Sequence, residues 1–184
     1  MTGELHLIPL LWLSALLITA VVYDIRFQII PNFLTLSSMA IAIFFYTLIQ
    51  GPQGFLMSVG GAGLGIALML IPYLMGGMGA GDAKLMGAVG GLLGPKGVVI
   101  AFLLTALVGG VYALGVLVRY GGVRETLTRY GQMLKVFFMT GKVNYVPPSA
   151  NETKPRMRYG IAIALGTMIA VFMKNPIFEI LHLI

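Results

Sequence analysis

Long apolar stretches constrain this chain more than any other feature of its sequence. Four of them, at residues 5–23, 33–50, 55–75 and 98–118, have about the 20 mostly apolar residues that a helix needs to cross a bilayer. Only 10% of the residues are charged, whereas soluble domains carry about 25%. We therefore predict an all-α polytopic membrane protein. The first stretch is expected to remain as a helix, because no Lys or Arg precedes it as in a cleaved signal peptide.

Two shorter apolar stretches, at residues 83–94 and 159–173, raise the predicted number of spans to six. With six spans and an outer N-terminus, ten Lys and Arg residues fall on the inner side and two on the outer side, in agreement with the positive-inside rule. If residues 83–94 formed a re-entrant turn and did not cross the membrane, the basic segment 119–158 would lie on the side of the membrane opposite to Arg26 and Lys84. We therefore predict that a short fourth helix crosses the membrane.

The sequence shows no internal repeat and no Ser- or Pro-rich linker, so we expect a single domain over residues 1–184. Its one long polar segment, 119–158, has apolar residues at near-helical spacing over 123–138. This segment is either an interfacial amphipathic helix or a solvated helical connector. The net charge of +6 fits attraction to anionic lipids at the inner surface, and we expect no nucleic-acid partner.

The chain has two aspartates, Asp24 and Asp82, each at a predicted membrane boundary. Two full spans separate them, so both return to the same face, which the charge count makes cytoplasmic. Two carboxylates close together in a low dielectric share one proton and thereby supply an acid and a base. The structural alternative is that each aspartate caps a helix or pairs with a cation, and Asp82 is well placed to accept N–H bonds at a helix start.

Glycines surround the second aspartate, including Gly79 and Gly81. We expect them to shape the site by letting backbone pass close to an extended peptide and by adopting positive φ. Phosphate binding is the competing use of a glycine-rich loop. The chain has no G-x-x-x-x-G-K-[ST] motif, since Val136 stands where the first glycine would be.

The same two regions resemble the type IV prepilin peptidases. Asp24-Ile25-Arg26 followed by Ile30-Pro31-Asn32 is similar to their first aspartate motif. The stretch 79–85 is similar to their GxGD motif, which archaeal preflagellin peptidases and presenilin-type proteases share more loosely. The stretch 159–166 resembles the C-terminal helix of the family, with Arg158 where a proline is common.

This resemblance implies a membrane aspartyl endopeptidase with Asp24 and Asp82 as its catalytic pair. Its expected substrates are prepilin or pseudopilin precursors, cleaved after their basic leader at the cytoplasmic face of the bacterial inner membrane. Larger family members carry a zinc-binding insertion with CxxC pairs after the first helix. This chain has no cysteine and only residues 25–32 at that place, so it resembles the short, peptidase-only branch found with tight-adherence pili.

Four further residues near the aspartates are candidates for substrate binding or for shaping the site. Arg26 and Lys84 each follow an aspartate by two positions, a spacing that does not place two side chains on one helical face. They are expected to contact lipid headgroups, position backbone or bind substrate. Pro31 is expected to end the connecting loop, and Asn32 to cap the second helix.

We expect no cofactor and no metal ion, because the two histidines with Glu4 and Glu179 give only a weak metal-site pattern. A different class of protein remains open at this point. A small proton- or cation-coupled transporter or channel would use the two aspartates as ion sites. A scaffold for pilus assembly would not need them.

Overall fold

The computed structural model is all-α throughout the part of the chain that it describes. That part comprises residues 2–74, 77–120 and 159–181, with five single positions between 128 and 139. The described helices are α1 (Thr2–Phe27), α2 (Asn32–Leu74), α3 (Ala80–Tyr120) and α4 (Tyr159–Leu181). The all-α prediction is thus confirmed for these residues.

Three of these helices are long and apolar enough to cross a membrane, over Leu7–Phe27, Asn32–Leu74 and Ala80–Val116. The apolar part of α4, Tyr159–Met173, is shorter. Because α2 and α3 are much longer than one crossing requires, the breaks inside them matter for the topology. The count of six spans remains a prediction.

The break in α2 lies at Gly51, whose φ of 61° and ψ of −142° are not helical. Glycine adopts positive φ without a steric cost, and Pro52 has no N–H to continue the helical hydrogen bonds. Beyond the break, Gly54 lies against the carbonyl oxygen of Tyr46, which a continuous helix would keep about two turns away. The chain therefore changes direction here, between the second and third predicted spans.

The break in α3 lies at Gly94, with φ 74° and ψ 178°. Pro95 follows it, as Pro52 follows Gly51. The α-carbon of Gly94 faces Met57, since a Cβ built there would be 3.1 Å from the Met57 Cγ. This break ends the short first part of α3 where the predicted fourth span ends.

The second part of α2 and the first part of α3 pack backbone against backbone. A Cβ on Gly61 would overlap the carbonyl oxygen of Gly90, and a Cβ on Gly65 would overlap that of Met86. Gly65 comes after Gly61 in α2, whereas its partner Met86 comes before Gly90 in α3. The two parts therefore run antiparallel. In lipid, where apolar burial does not drive helices together, close packing of small residues does so. We call this contact the glycine seam.

The first helix packs on α4 and α2. Its buried side chains include Leu13, Leu17 and Ala20, and Ile163 of α4 is also fully buried. This packing places the C-terminal end of α1, which carries Asp24, beside the N-terminal end of α4.

The chain forms two compact units, Met1–Gly109 with Arg158–Ile184 and Gly110–Met157. Both aspartates belong to the first unit. In the second unit, most of the segment 123–138, with its predicted interfacial helix, lies outside the described residues. The positions that are described there, among them Thr128, Gly131 and Lys135, are helical.

Candidate active site

Asp24 lies in the last turn of α1 and is buried, with 6% of its surface exposed. Its Oδ2 accepts a 2.9 Å hydrogen bond from the backbone N–H of Gly160, in the first turn of α4. The first N–H groups of a helix have no partner within the helix, and that end carries positive partial charge. The start of α4 thus supplies Asp24 with a donor and a favourable dipole.

Gly160 belongs to the site, although its sequence neighbourhood predicts only a membrane helix. A Cβ on Gly160 would lie 2.8 Å from the Oδ2 of Asp24 and 3.1 Å from its Cβ and Cγ. Any larger residue would therefore displace the carboxylate. The one signal in the sequence is a glycine in the first turn of the last apolar stretch, within the segment that resembles the C-terminal helix of the family.

Asp82 lies in the first turn of α3 and is 9% exposed. Its Oδ2 accepts a 2.9 Å hydrogen bond from the N–H of Gly79, and its own N–H donates to the Gly79 carbonyl oxygen at 3.1 Å. The first of these bonds is the half of a capping box that an acid at the third helical position supplies, whereas the second is made by the backbone because Gly79 has no side chain. The helix-cap interpretation of Asp82 is therefore correct, and it orients the carboxylate through one of its two oxygens.

The structure brings Asp24 and Asp82 close enough for their charges to repel each other. The hydrogen bonds described above orient both carboxylates through backbone N–H groups, which add no ionic charge of their own. Two oriented, buried carboxylates within electrostatic reach can divide acid and base roles between them. In the described part of the chain, no group of three or more His, Asp or Glu side chains is arranged to hold a metal ion.

The glycines before Asp82 act through close approach rather than through unusual backbone angles. Positive φ occurs at Gly51 and Gly94 among the described glycines, so the expectation of positive φ at Gly79 and Gly81 is wrong. A Cβ on Gly81 would lie 3.1 Å from the Cβ of Ile30 and 3.4 Å from its carbonyl oxygen. The connection between α1 and α2 can approach α3 because Gly81 has no side chain.

Lys84 and Asn32 are brought together across α3 and α2. The Lys84 Nζ donates a 2.7 Å hydrogen bond to the Asn32 Oδ1. The carbonyl oxygen of Pro31 accepts the N–H groups of Leu34 and Thr35 at 3.1 and 3.4 Å. The prediction that Asn32 caps α2 is therefore wrong. Pro31 is the N-cap residue, because its carbonyl oxygen accepts the first helical hydrogen bonds. The side chain of Asn32 accepts a hydrogen bond from Lys84 instead.

Arg26 is exposed in the last turn of α1. Of the predicted site residues, Asp24, Asp82, Gly81, Lys84 and Asn32 lie around the connection between α1 and α2. The side chain of Arg26 is exposed at the surface of the protein.

Parts of this chain are similar to known proteins. A similar protein is the prepilin leader peptidase/N-methyltransferase of Bacillus subtilis (strain 168), which is 32% identical over 117 residues. The aligned region covers 59% of this chain and 44% of that protein, so the chain corresponds to less than half of its relative's length. No solved structure matches the chain.

A family model, that of the type IV leader peptidases, matches residues 11–114. This region is more than half of the chain and includes both aspartates, the glycines before Asp82 and the Lys84–Asn32 pair, whereas Gly160 lies beyond it. On the extent of this match, the chain belongs to the type IV leader peptidase family.

Proposed function

We propose that this chain is a membrane aspartyl endopeptidase that removes the leader from type IV pilin-like precursors. The observation that carries the proposal is the pair of buried carboxylates, each oriented by the N–H of a glycine at the start of a helix. Family membership supports the same reaction. The name of the Bacillus subtilis relative adds prepilin as the substrate class.

In this proposal Asp24 and Asp82 share one proton. The ionised carboxylate removes a proton from water as it attacks the scissile carbonyl, and the protonated one donates to the carbonyl oxygen. On collapse of the tetrahedral intermediate, a proton returns to the leaving amine. The N–H groups of Gly160 and Gly79 keep the orientation of the two carboxylates fixed during these transfers, because both donors lie at the starts of long helices.

The finer features of the proposal follow from the charge pattern. The excess of Lys and Arg on one predicted side supports a cytoplasmic catalytic face and an outer N-terminus, and the resemblance to prepilin peptidases supports the bacterial inner membrane as the location. Anionic lipids would bind the basic segment 119–158, at about 1 kcal/mol for each basic residue near the surface. The absence of cysteine supports the peptidase-only branch associated with tight-adherence pili.

The test is cleavage of a prepilin by the purified protein in detergent, followed by mass spectrometry of the product. Asp24→Asn and Asp82→Asn should each lower kcat by about 10²- to 10⁴-fold, because the amide keeps the shape of the side chain but cannot exchange the proton. Glu125→Gln is the matched control, since it makes the same change at a carboxylate outside the pair, and it should retain activity.

Three results would contradict the proposal. Substantial turnover by either Asn variant would remove that aspartate from catalysis. Loss of activity with a chelator, restored by zinc, would indicate a metalloprotease. Proton or cation flux through liposomes that depends on the aspartates, with no shortened prepilin, would indicate the transporter instead.

A further inference from the structure

The connection between α1 and α2, together with the first residue of α2, contacts α3 on both sides of Asp82. Before Asp82, Gly81 packs on Ile30, which is 6% exposed. After Asp82, Lys84 donates its hydrogen bond of 2.7 Å to Asn32, the first residue of α2. The start of α3 is therefore held at two points that bracket the second aspartate.

The other end of this connection is attached to the first aspartate. The N–H of Gln28 donates to the carbonyl oxygen of Asp24 at 3.1 Å. Gln28 has φ 53°, in the left-handed region, which ends α1 and turns the chain toward Ile30. From Asp24 to Asn32 the chain thus runs as one strap from one carboxylate to the helix that carries the other.

We propose that the Lys84–Asn32 hydrogen bond closes this strap and sets the separation of the two carboxylates, so that Lys84 and Asn32 are positioning residues. This inference rests on the proposed function. The contact that the structure shows for Lys84 is with Asn32 of α2, and this contact between two helices is what a positioning role requires. It also accounts for the lysine two positions after Asp82, where it cannot reach that aspartate along the helix.

The contact is suited to this role because it joins two helices whose ends carry the chemistry. If the bond is lost, the Ile30–Gly81 packing is the remaining contact between this strap and α3 beside Asp82, and the glycine seam holds α3 only farther along the helix. A displacement of about 1 Å at reacting groups can cost about 100-fold in rate. Lys84→Met should therefore lower kcat by about 10- to 100-fold and leave KM nearly unchanged.

A double-mutant cycle measured by prepilin cleavage tests this coupling. Lys84→Met and Asn32→Ala should lower kcat to a similar extent, and the double variant should be no slower than the slower single variant. Asn32→Asp keeps an oxygen acceptor for Lys84 and should restore most of the rate lost in Asn32→Ala. Lys96→Met is the matched control, because it removes another lysine of α3 beyond the Gly94 break, and it should have the wild-type kcat.

Two kinetic results would overturn the positioning role. Losses that multiply in the double variant would show that the two residues act separately. A Lys84→Met variant with higher KM and unchanged kcat would show that Lys84 binds substrate.

A second measurement needs no substrate, so it separates this inference from the proposed function. The chain has no cysteine, so introduced cysteines are the only thiols. Because residues 32 and 84 are in contact, Asn32→Cys/Lys84→Cys should crosslink with a short bifunctional thiol reagent in isolated membranes. Asn32→Cys/Lys96→Cys should not, because residues 84 to 94 alone rise by about 15 Å along the helix. Absence of the 32–84 crosslink would overturn the strap whatever the activity. A 32–84 crosslink in the double-cysteine variant, together with a wild-type protein that cleaves no prepilin, would overturn the proposed function and with it the catalytic role of the strap, while the contact itself would stand.

Discussion

Substitution of Gly160 by alanine tests whether the start of α4 holds Asp24 in its working position. The added Cβ would be 2.8 Å from the Asp24 Oδ2 and 3.1 Å from the Asp24 Cβ and Cγ. Atoms this close must separate, and the carboxylate is the part that can move. The hydrogen bond of 2.9 Å from the Gly160 N–H to Oδ2 is then lengthened or broken.

The size of the effect follows from that hydrogen bond. A hydrogen bond to a charged group contributes about 1.5–3 kcal/mol. If that contribution orients Asp24 in the transition state, its loss lowers kcat by about 10- to 150-fold, with little change in KM. Alanine is the better helix former by about 1 kcal/mol, so Gly160→Ala should insert and accumulate like the wild type.

The assay is steady-state cleavage of a prepilin in detergent, with the amount of folded protein measured alongside. Gly63→Ala is the matched control, because Gly63 is also helical and a Cβ there meets nothing within 4 Å. It should keep the wild-type kcat. A Gly160→Ala variant with normal kcat would refute the role of α4 in orienting Asp24. Equal losses in both variants would refute it as well, because the effect would then not depend on contact with the carboxylate.

Two other predictions concern the fold around the site. An impermeant thiol reagent applied to intact cells should label Gln53→Cys and Lys96→Cys but reach Gln28→Cys only after the membrane is opened. Labelling of Gln28→Cys in intact cells would reject the outer N-terminus, and a Lys96→Cys variant that is not labelled there, while Gln53→Cys is, would reject the short fourth span. Gly61→Ala should lower the free energy of unfolding by about 1–3 kcal/mol, because its Cβ would overlap the facing carbonyl in the glycine seam. Thermal unfolding in detergent measures this change against Gly63→Ala, and equal stability of the two variants would reject the seam as a close contact.

Much of the fold could be predicted from local properties of the sequence. The length and apolarity of the stretches predict membrane helices, since a bilayer requires both. The Gly-Pro pairs at 51–52 and 94–95 lie between predicted spans, and glycine and proline are the residues that interrupt a helix. An even number of spans between Asp24 and Asp82 predicts that they share a face, and the structure places their charges within reach of each other.

The partners of the aspartates could not be predicted in this way. Gly160 is 136 positions from Asp24, and Lys84 is 52 positions from Asn32. Hydropathy shows that a helix is apolar but not which of its faces meets a neighbour, because lipid and protein interior are almost equally apolar. Only the packing of the helices determines which glycine approaches a carboxylate. The prediction of positive φ for the glycines near Asp82 is wrong for the same reason, because Gly81 is needed where another segment of the folded chain, at Ile30, lies against it.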